Sequence, residues 1–382
     1  MSAVGISSEA RFRAPSLDAL RLVASLAITI GHIVPADLIP DALHDLLLSG
    51  VSTTLFFAMS GFVLSTSNRF WEQSWRETGV KRFSRLYSIH LLCFSLLLPF
   101  AFLGSDTASS SELLRVLGWW GTGMQGLLPY GSFQELWNFP AWAVTALLIG
   151  GLTLPWLKLA KLRNWPLSSS CGLLFVFIGI RLAIDLLQDS PASEFQTIQR
   201  HMAFLPRLLE VNAGAMSGVV FNQLGTRFNL RWLGSDQALA LLILFVASAI
   251  IFIHYFHGMP GLFTFTHGPV LPIVLLLVAS AYLNQGSIAN FCRYKWIVKG
   301  AQISILVWLL HIPVLRYWQY AAPRIGMGVD WTSGIVGFCL NFSLVLLAAR
   351  ILELPVRKLE QSLTRTLLRW TSVKRPQIPS VS

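Results

Sequence analysis

Long apolar runs recur along this chain from about residue 17 to residue 352, separated by short polar stretches that hold most of its charge. A helix needs about 17–25 such residues to cross the hydrocarbon layer of a bilayer at 1.5 Å of rise each. On that measure the pattern predicts helices over 17–35, 46–65, 86–104, 140–157, 167–187, 204–222, 238–255, 269–284, 300–320 and 334–352. The stretch 113–130, rich in Gly and Trp, predicts an interfacial loop or short helix. No internal repeat, heptad array or low-complexity block breaks the series, and no second soluble domain fits in what remains. The expected fold is all-α: a polytopic membrane protein of about ten spans.

Composition agrees. Hydrophobic residues make up 54% of the 382, charged residues only 12%, and the mean hydropathy is +0.60. A soluble domain of this size would need a charged surface to stay in solution. The 14 Trp fit the preference of indoles for the membrane–water interface. Cys93, Cys171, Cys292 and Cys339 lie within or beside apolar segments without CxxC or zinc spacing, which points to single buried thiols. The first apolar segment has Asp18 and Arg21 at its start and no A-x-A site after it, so it reads as a retained anchor rather than a cleaved signal.

Charge then orients the chain. The net charge of +11 does not signal nucleic acid, because the basic residues sit in short connections rather than on one face with a matching motif. Alternate connections and both tails hold 21 of the 29 Lys and Arg, whereas the opposite side holds only Arg115, Arg200 and Arg324. The positive-inside rule therefore places both termini in the cytoplasm and makes the number of spans even. The expected organisation is a cytoplasmic tail over 1–16, a membrane domain over 17–355 and a basic cytoplasmic tail over 356–382, whose last dozen residues read as disordered.

Ionisable side chains inside a bilayer are costly, so each is a candidate for function. Arg21, Arg181, Arg207, Arg316 and Arg350 fall within spans or at their margins, together with His32 and His311. Arg21 and His32 share one helix face and lie about 16 Å apart along the axis, Arg21 near the cytoplasmic surface and His32 in the outer half. The structural alternative is that Arg21 pairs with Asp18 and His32 merely packs. His311 lies near mid-membrane ahead of Pro313, where a carbonyl freed by the proline kink offers it a structural role. Arg82 and Arg85, at i and i+3 on entry to the third span, could clamp phosphates or serve only as topogenic charge. Arg181 with Asp185, and Arg207 with Glu210, have the spacing of helical ion pairs. His254, His257 and His267 lack a carboxylate or thiol at ligand spacing, so no metal site is expected.

Several of these features together resemble the membrane-bound acyltransferase family 3 of bacterial O-acyltransferases. The resemblance lies in Leu17-Asp-Ala-Leu-Arg21 followed by His32, in Phe56-Phe-Ala-Met-Ser-Gly-Phe62 and in Arg82-Phe-Ser-Arg-Leu-Tyr87. Trp308-Leu-Leu-His311 and Glu353-Leu-Pro-Val-Arg-Lys358 continue it, so that it spans about residues 17–360. It implies a multi-pass protein of the bacterial inner membrane that moves an acyl group, most often acetyl, from cytoplasmic acyl-CoA to a hydroxyl of a surface or exported glycan. On that reading acyl-CoA is a co-substrate, no cofactor is bound, and the acceptor is a glycan or lipid-linked saccharide. His32 would be catalytic with His311 as partner, and Arg21, Arg82 and Arg85 would hold the CoA phosphates. Ser60 and Gly61 suit close helix packing better than nucleophilic attack. Two positions depart from the family. Its fourth-helix glutamate is Leu147 here, with Glu210 or Glu135 as conceivable substitutes, and the proline usual after the third-helix motif is Ser88. The competing readings are a transporter of a lipid-linked saccharide or small anion, and a non-catalytic component of polysaccharide assembly.

Overall fold

The computed structural model describes residues 14–48, 50–103, 114, 117–118, 121–123, 142–187, 204–255, 269–327 and 334–371. Most of the predicted interfacial stretch 113–130 lies outside these residues, as do Glu135, residues 1–13 and the tail predicted to be disordered, apart from Thr371. Every regular element among the described residues is helical, and a long helix falls on each of the ten predicted segments. These are α1 (Pro15–Ile33), α2 (Gly50–Thr66), α3 (Trp75–Leu103), α4 (Trp142–Thr153), α5 (Leu167–Leu187), α6 (Phe204–Arg227), α7 (Asp236–Tyr255), α8 (Val270–Leu283), α9 (Lys295–Ala321) and α10 (Ile335–Thr371). Shorter helices at Asp41–Leu48, Asn68–Glu72, Pro155–Leu159 and Ser287–Cys292 lie between them.

Among the described residues, five helical stretches are long and apolar enough to cross a membrane: Pro15–Ile33, Trp75–Phe100, Leu167–Ile184, Lys295–Ile325 and Ile335–Trp370. Gly50–Thr66, Ala143–Leu159, Asp236–Phe252 and Val270–Leu283 are shorter apolar helices. Two helices outrun their apolar segments furthest. α3 begins at Trp75 because its charged first turns are good helix formers, tied by a Lys81–Glu77 pair at 2.5 Å. α10 runs through Pro355 to Thr371, with Glu353 paired to Arg350 and, at 2.6 Å, to Arg357. At 37 residues α10 is about 55 Å long, well beyond a ~30 Å hydrocarbon layer. Residues 356–371, assigned to the tail from sequence, are thus helical.

Two apolar cores share the centre of the bundle. One joins α1, α2, α3, α4, α6, α9 and α10 through Ile28, Phe56, Leu86, Leu147, Val211, Trp308 and Val345. The other joins α1, α2, α6, α7 and α8 through Leu17, Phe62, Ala213, Leu239 and Leu271. Where they meet, α2 and α6 run parallel in backbone contact. A Cβ at Gly61 would fall 1.9 Å from Val211 O, and one at Gly214 would fall 2.0 Å from Ala58 O. Gly214-Ala-Met-Ser-Gly218 on α6 places its glycines one turn apart on the contact face, the device by which membrane helices approach closely.

At one end of the bundle a polar clasp ties the start of α7 to the loop after α8. The Asp236 carboxylate accepts from Asn284 Nδ2 at 2.8 Å and from the N–H groups of Ser287 (2.6 Å) and Ile288 (3.2 Å). Ser16 Oγ of α1 donates to Asn284 Oδ1 at 2.8 Å. All four cysteines are free.

Candidate functional site

α1 and α9 form a parallel seam. Near its foot Arg21 Nη2 donates to Ala301 O at 3.1 Å, and higher up the rings of His32 and His311 lie 5.1 Å apart, tilted by 42°. The two contacts are separated by nearly equal lengths of both helices, so the seam stays in register for about 16 Å.

The two imidazoles are oriented alike. Nδ1 of His32 lies 2.6 Å from Ile28 O, and Nδ1 of His311 lies 2.5 Å from Trp308 O. A carbonyl oxygen can only accept, so Nδ1 carries the proton in both rings and Nε2 of each neutral ring holds a lone pair. His311 is fully buried, and its Nε2 has no partner among the described residues. His32 is half-buried. The carbonyl used by His311 is that of Trp308, not the Leu309 carbonyl that Pro313 deprives of its helical N–H. Trp308, one turn below, packs its ring 4.7 Å from that of Phe56 on α2, which fixes the height of the pair.

Arg85 of α3 lies between the other two predicted arginines electrostatically, close enough to interact with Arg21 on α1 and with Arg82. Arg21 is paired with Asp18 at 2.8 Å, so the structural role weighed from sequence is real. It does not neutralise the group, because Arg85 lies within electrostatic reach of both Arg21 and Arg82. Arg82 Nη2 donates to Ser60 Oγ at 2.9 Å, and neither Arg82 nor Arg85 forms an ion pair among the described residues. Arg82 crosses α4 at Gly151, where a Cβ would meet its Nε at 2.7 Å. Among the described residues these three guanidiniums share one ion-paired carboxylate, that of Asp18, and Arg85 is exposed, so the foot of the seam is positive. Such a group suits an anion carrying several phosphates.

A second charged cluster is wholly buried. Glu210 on α6 accepts from Arg207 Nη1 at 2.7 and 2.8 Å, from Arg181 Nε on α5 at 3.2 Å and from Thr54 Oγ1 on α2 at 3.1 Å. The expected Arg207–Glu210 pair is therefore present. Arg181 reaches Glu210 as well, whereas the Asp185 side chain lies outside the described residues. With its carboxylate committed to two guanidiniums and a hydroxyl, Glu210 ties α2, α5 and α6 together. Leu147 is buried in the same core as Trp308 and Leu310, so no carboxylate occupies that position.

Three contributors escaped the sequence reading. His90 on α3 is buried beside Tyr87 and Phe94, with its ring 3.4 Å from where a Cβ at Gly123 would sit. As a histidine inside the 86–104 segment it was open to the same reasoning as His32. Thr54 and Gly151 gave no comparable signal, since their roles depend on which helices meet. His257, His267 and the side chain of His254 lie outside the described residues.

Paired histidines above a guanidinium cluster, on a seam inside a bundle of apolar helices long enough to suit a membrane, are the chemistry-bearing groups that this fold brings together. The chain belongs to the membrane-bound acyltransferase family 3, whose model, described as an acyltransferase domain, matches residues 15–350. It is 24% identical over 356 aligned residues to Acyltransferase MdmB of Streptomyces mycarofaciens, a similarity that covers 85% of each chain. No solved structure matches it. The protein is an acyltransferase, and its apolar helices are those of a membrane enzyme.

Proposed function

We propose that this protein transfers an acyl group, acetyl foremost, from cytoplasmic acyl-CoA to a hydroxyl of a cell-surface or exported glycan. The observation that supports it best is the seam, which sets an arginine cluster at one end of α1 and α9 and a histidine pair about 16 Å further along. Ten spans with both termini inside put the arginines at the cytoplasmic surface of a bacterial inner membrane, where CoA is found. Exposed aromatics at that end, among them Trp75, Trp165, Trp232, Tyr294 and Trp296, fit a membrane–water interface there, as Tyr317 and Tyr320 do at the opposite end.

The CoA phosphates dock on Arg21, Arg82 and Arg85, and the thioester extends along the seam. His32 takes the proton of the acceptor hydroxyl at Nε2, and the alkoxide oxygen bonds to the thioester carbonyl carbon. The C–S bond then breaks, and the imidazolium returns the proton to the CoA thiolate. His311, against the His32 ring, supports the protonated state through its own Nε2 lone pair. Without a carboxylate at position 147, the Ile28 and Trp308 carbonyls set the tautomers of the two rings.

Membranes containing the protein should transfer labelled acetyl groups from acetyl-CoA to extracted polysaccharide, and His32→Ala should abolish transfer at unchanged protein level. Full transfer by His32→Ala would overturn the mechanism. Movement of a saccharide or anion by the purified protein in vesicles without a donor would favour the transport reading.

A further inference from the structure

Between its two site residues α1 carries Ser25 and Thr29, both fully buried, whose hydroxyls have no partner among the described residues. A serine or threonine inside a helix ordinarily bonds the carbonyl one turn back. Ser88, Ser95 and Thr66 do so, on Ser84, Leu91 and Phe62. The hydroxyls of Ser84, Ser170 and Ser217 also lack partners among the described residues, but of the described helices only α1 holds two such hydroxyls in successive turns, and they lie between the arginine cluster and the histidine pair. Arg21, Ser25, Thr29 and His32 fall within an arc of about 80° on α1, the arc that meets α9 at Ala301 and His311.

We propose that Ser25 and Thr29 position the acyl donor by hydrogen-bonding the two amides of its pantetheine arm. The inference rests on acyl-CoA being the donor, as proposed above. The arm between diphosphate and sulfur is as long as four to five residues of extended chain, ~15 Å, close to the ~16 Å from Arg21 to His32. Its two amides are separated by two methylenes, which sets their carbonyls ~5 Å apart, near the ~6 Å of axial rise between Ser25 and Thr29. A hydroxyl can donate to an amide carbonyl or accept from its N–H, so both fit either orientation of the amide. Thr29, nearer His32, takes the amide next to the thioester, and Ser25 takes the amide nearer the phosphates. The seam is closed around both residues here, so the entering arm parts α1 from its neighbours.

The test compares acetyl-CoA with S-acetyl-N-acetylcysteamine, which keeps only the amide next to the thioester, using the full-length protein in membranes. Ser25→Ala should raise KM for acetyl-CoA by roughly 3- to 10-fold, the worth of one hydrogen bond, and shrink the preference for acetyl-CoA over the short donor by the same factor. Thr29→Val should raise KM for both donors and leave that preference in place, while Thr29→Ser restores wild-type values. Should Ser25→Ala fail to accumulate, Ser25→Cys tests the same position with similar volume. Equal effects of both substitutions on both donors, or none, would overturn the inference. A wild-type protein that does not use acetyl-CoA would overturn the proposed donor itself, a failure seen before any variant is made.

Discussion

Replacing Gly61 by alanine probes the contact on which the site is built. Its Cβ would lie 1.9 Å from Val211 O and 2.7 Å from Ala215 N, both backbone atoms of α6. A non-bonded carbon approaches a carbonyl oxygen to about 3.3 Å, so α2 and α6 must part by more than ~1 Å. No rotamer can relieve a backbone contact, which puts the cost at the upper end of overpacking, ~3 kcal/mol. Alanine gains ~1 kcal/mol over glycine in helix propensity, leaving a net loss of about 2 kcal/mol. Gly214→Ala, 2.0 Å from Ala58 O, should behave alike. Gly150→Ala should be milder, since it meets the Val211 side chain at 3.1 Å. Gly172→Ala has nothing within 4 Å and should stabilise slightly. The assay is thermal unfolding of the purified protein in detergent across this series. Because α2 also carries Ser60 against Arg82 and Phe56 against Trp308, acyl transfer should fall with Tm. A Gly61→Ala protein as stable as wild type, or shifted in the same direction as Gly172→Ala, would refute the packing argument.

Glu210→Gln should destabilise, by at most about 3–5 kcal/mol, because it removes the buried carboxylate that Arg181 and Arg207 share; unchanged unfolding would contradict this. Arg82→Lys keeps the charge but loses the planar fork that meets Ser60, and KM for acyl-CoA should rise roughly tenfold with little change in kcat. Asp236, in the first turn of α7 ahead of the apolar stretch, is held below the ordinary carboxylate range by the Asn284 amide first and by the Ser287 and Ile288 N–H groups. Its folded-state pKa is the lower one, so its stabilisation is complete above the unfolded value of about 3.9 and is lost as pH falls through the folded value. Unfolding followed against pH should therefore show a steeper acid-side loss for wild type than for Asp236→Asn, and parallel curves would contradict the assignment.

The positions of the helices were legible because apolar runs show in hydropathy, from Pro15–Ile33 through to the last segment, whereas their lengths were not: among the described residues only five stretches are long and apolar enough to span a membrane. The starts of α3 and the end of α10 were not, since a helix continues past the apolar zone wherever its charged residues pair along one face, as Glu77 and Lys81 do. The alignment of Arg21 with His32 followed from helical periodicity, and their meeting with α9 did not, because contact between helices 280 positions apart leaves no local trace. Glu210 shows the same limit: its Arg207 partner lies three residues away and was readable, whereas Arg181 lies 29 residues back on another helix. Gly61 was readable as a packing residue, but Val211, the residue it touches, was not.

The division of labour along the seam is open to a sided measurement in inverted membrane vesicles, whose outer surface is the cytoplasmic face. Labelled acetyl-CoA supplied outside should acetylate glycan enclosed in the lumen in the wild-type vesicles and leave it unlabelled in His32→Ala vesicles. Label that appears only when the donor is enclosed with the glycan, or that persists in His32→Ala, would contradict a donor site at Arg21, Arg82 and Arg85 serving a histidine pair deeper in the membrane.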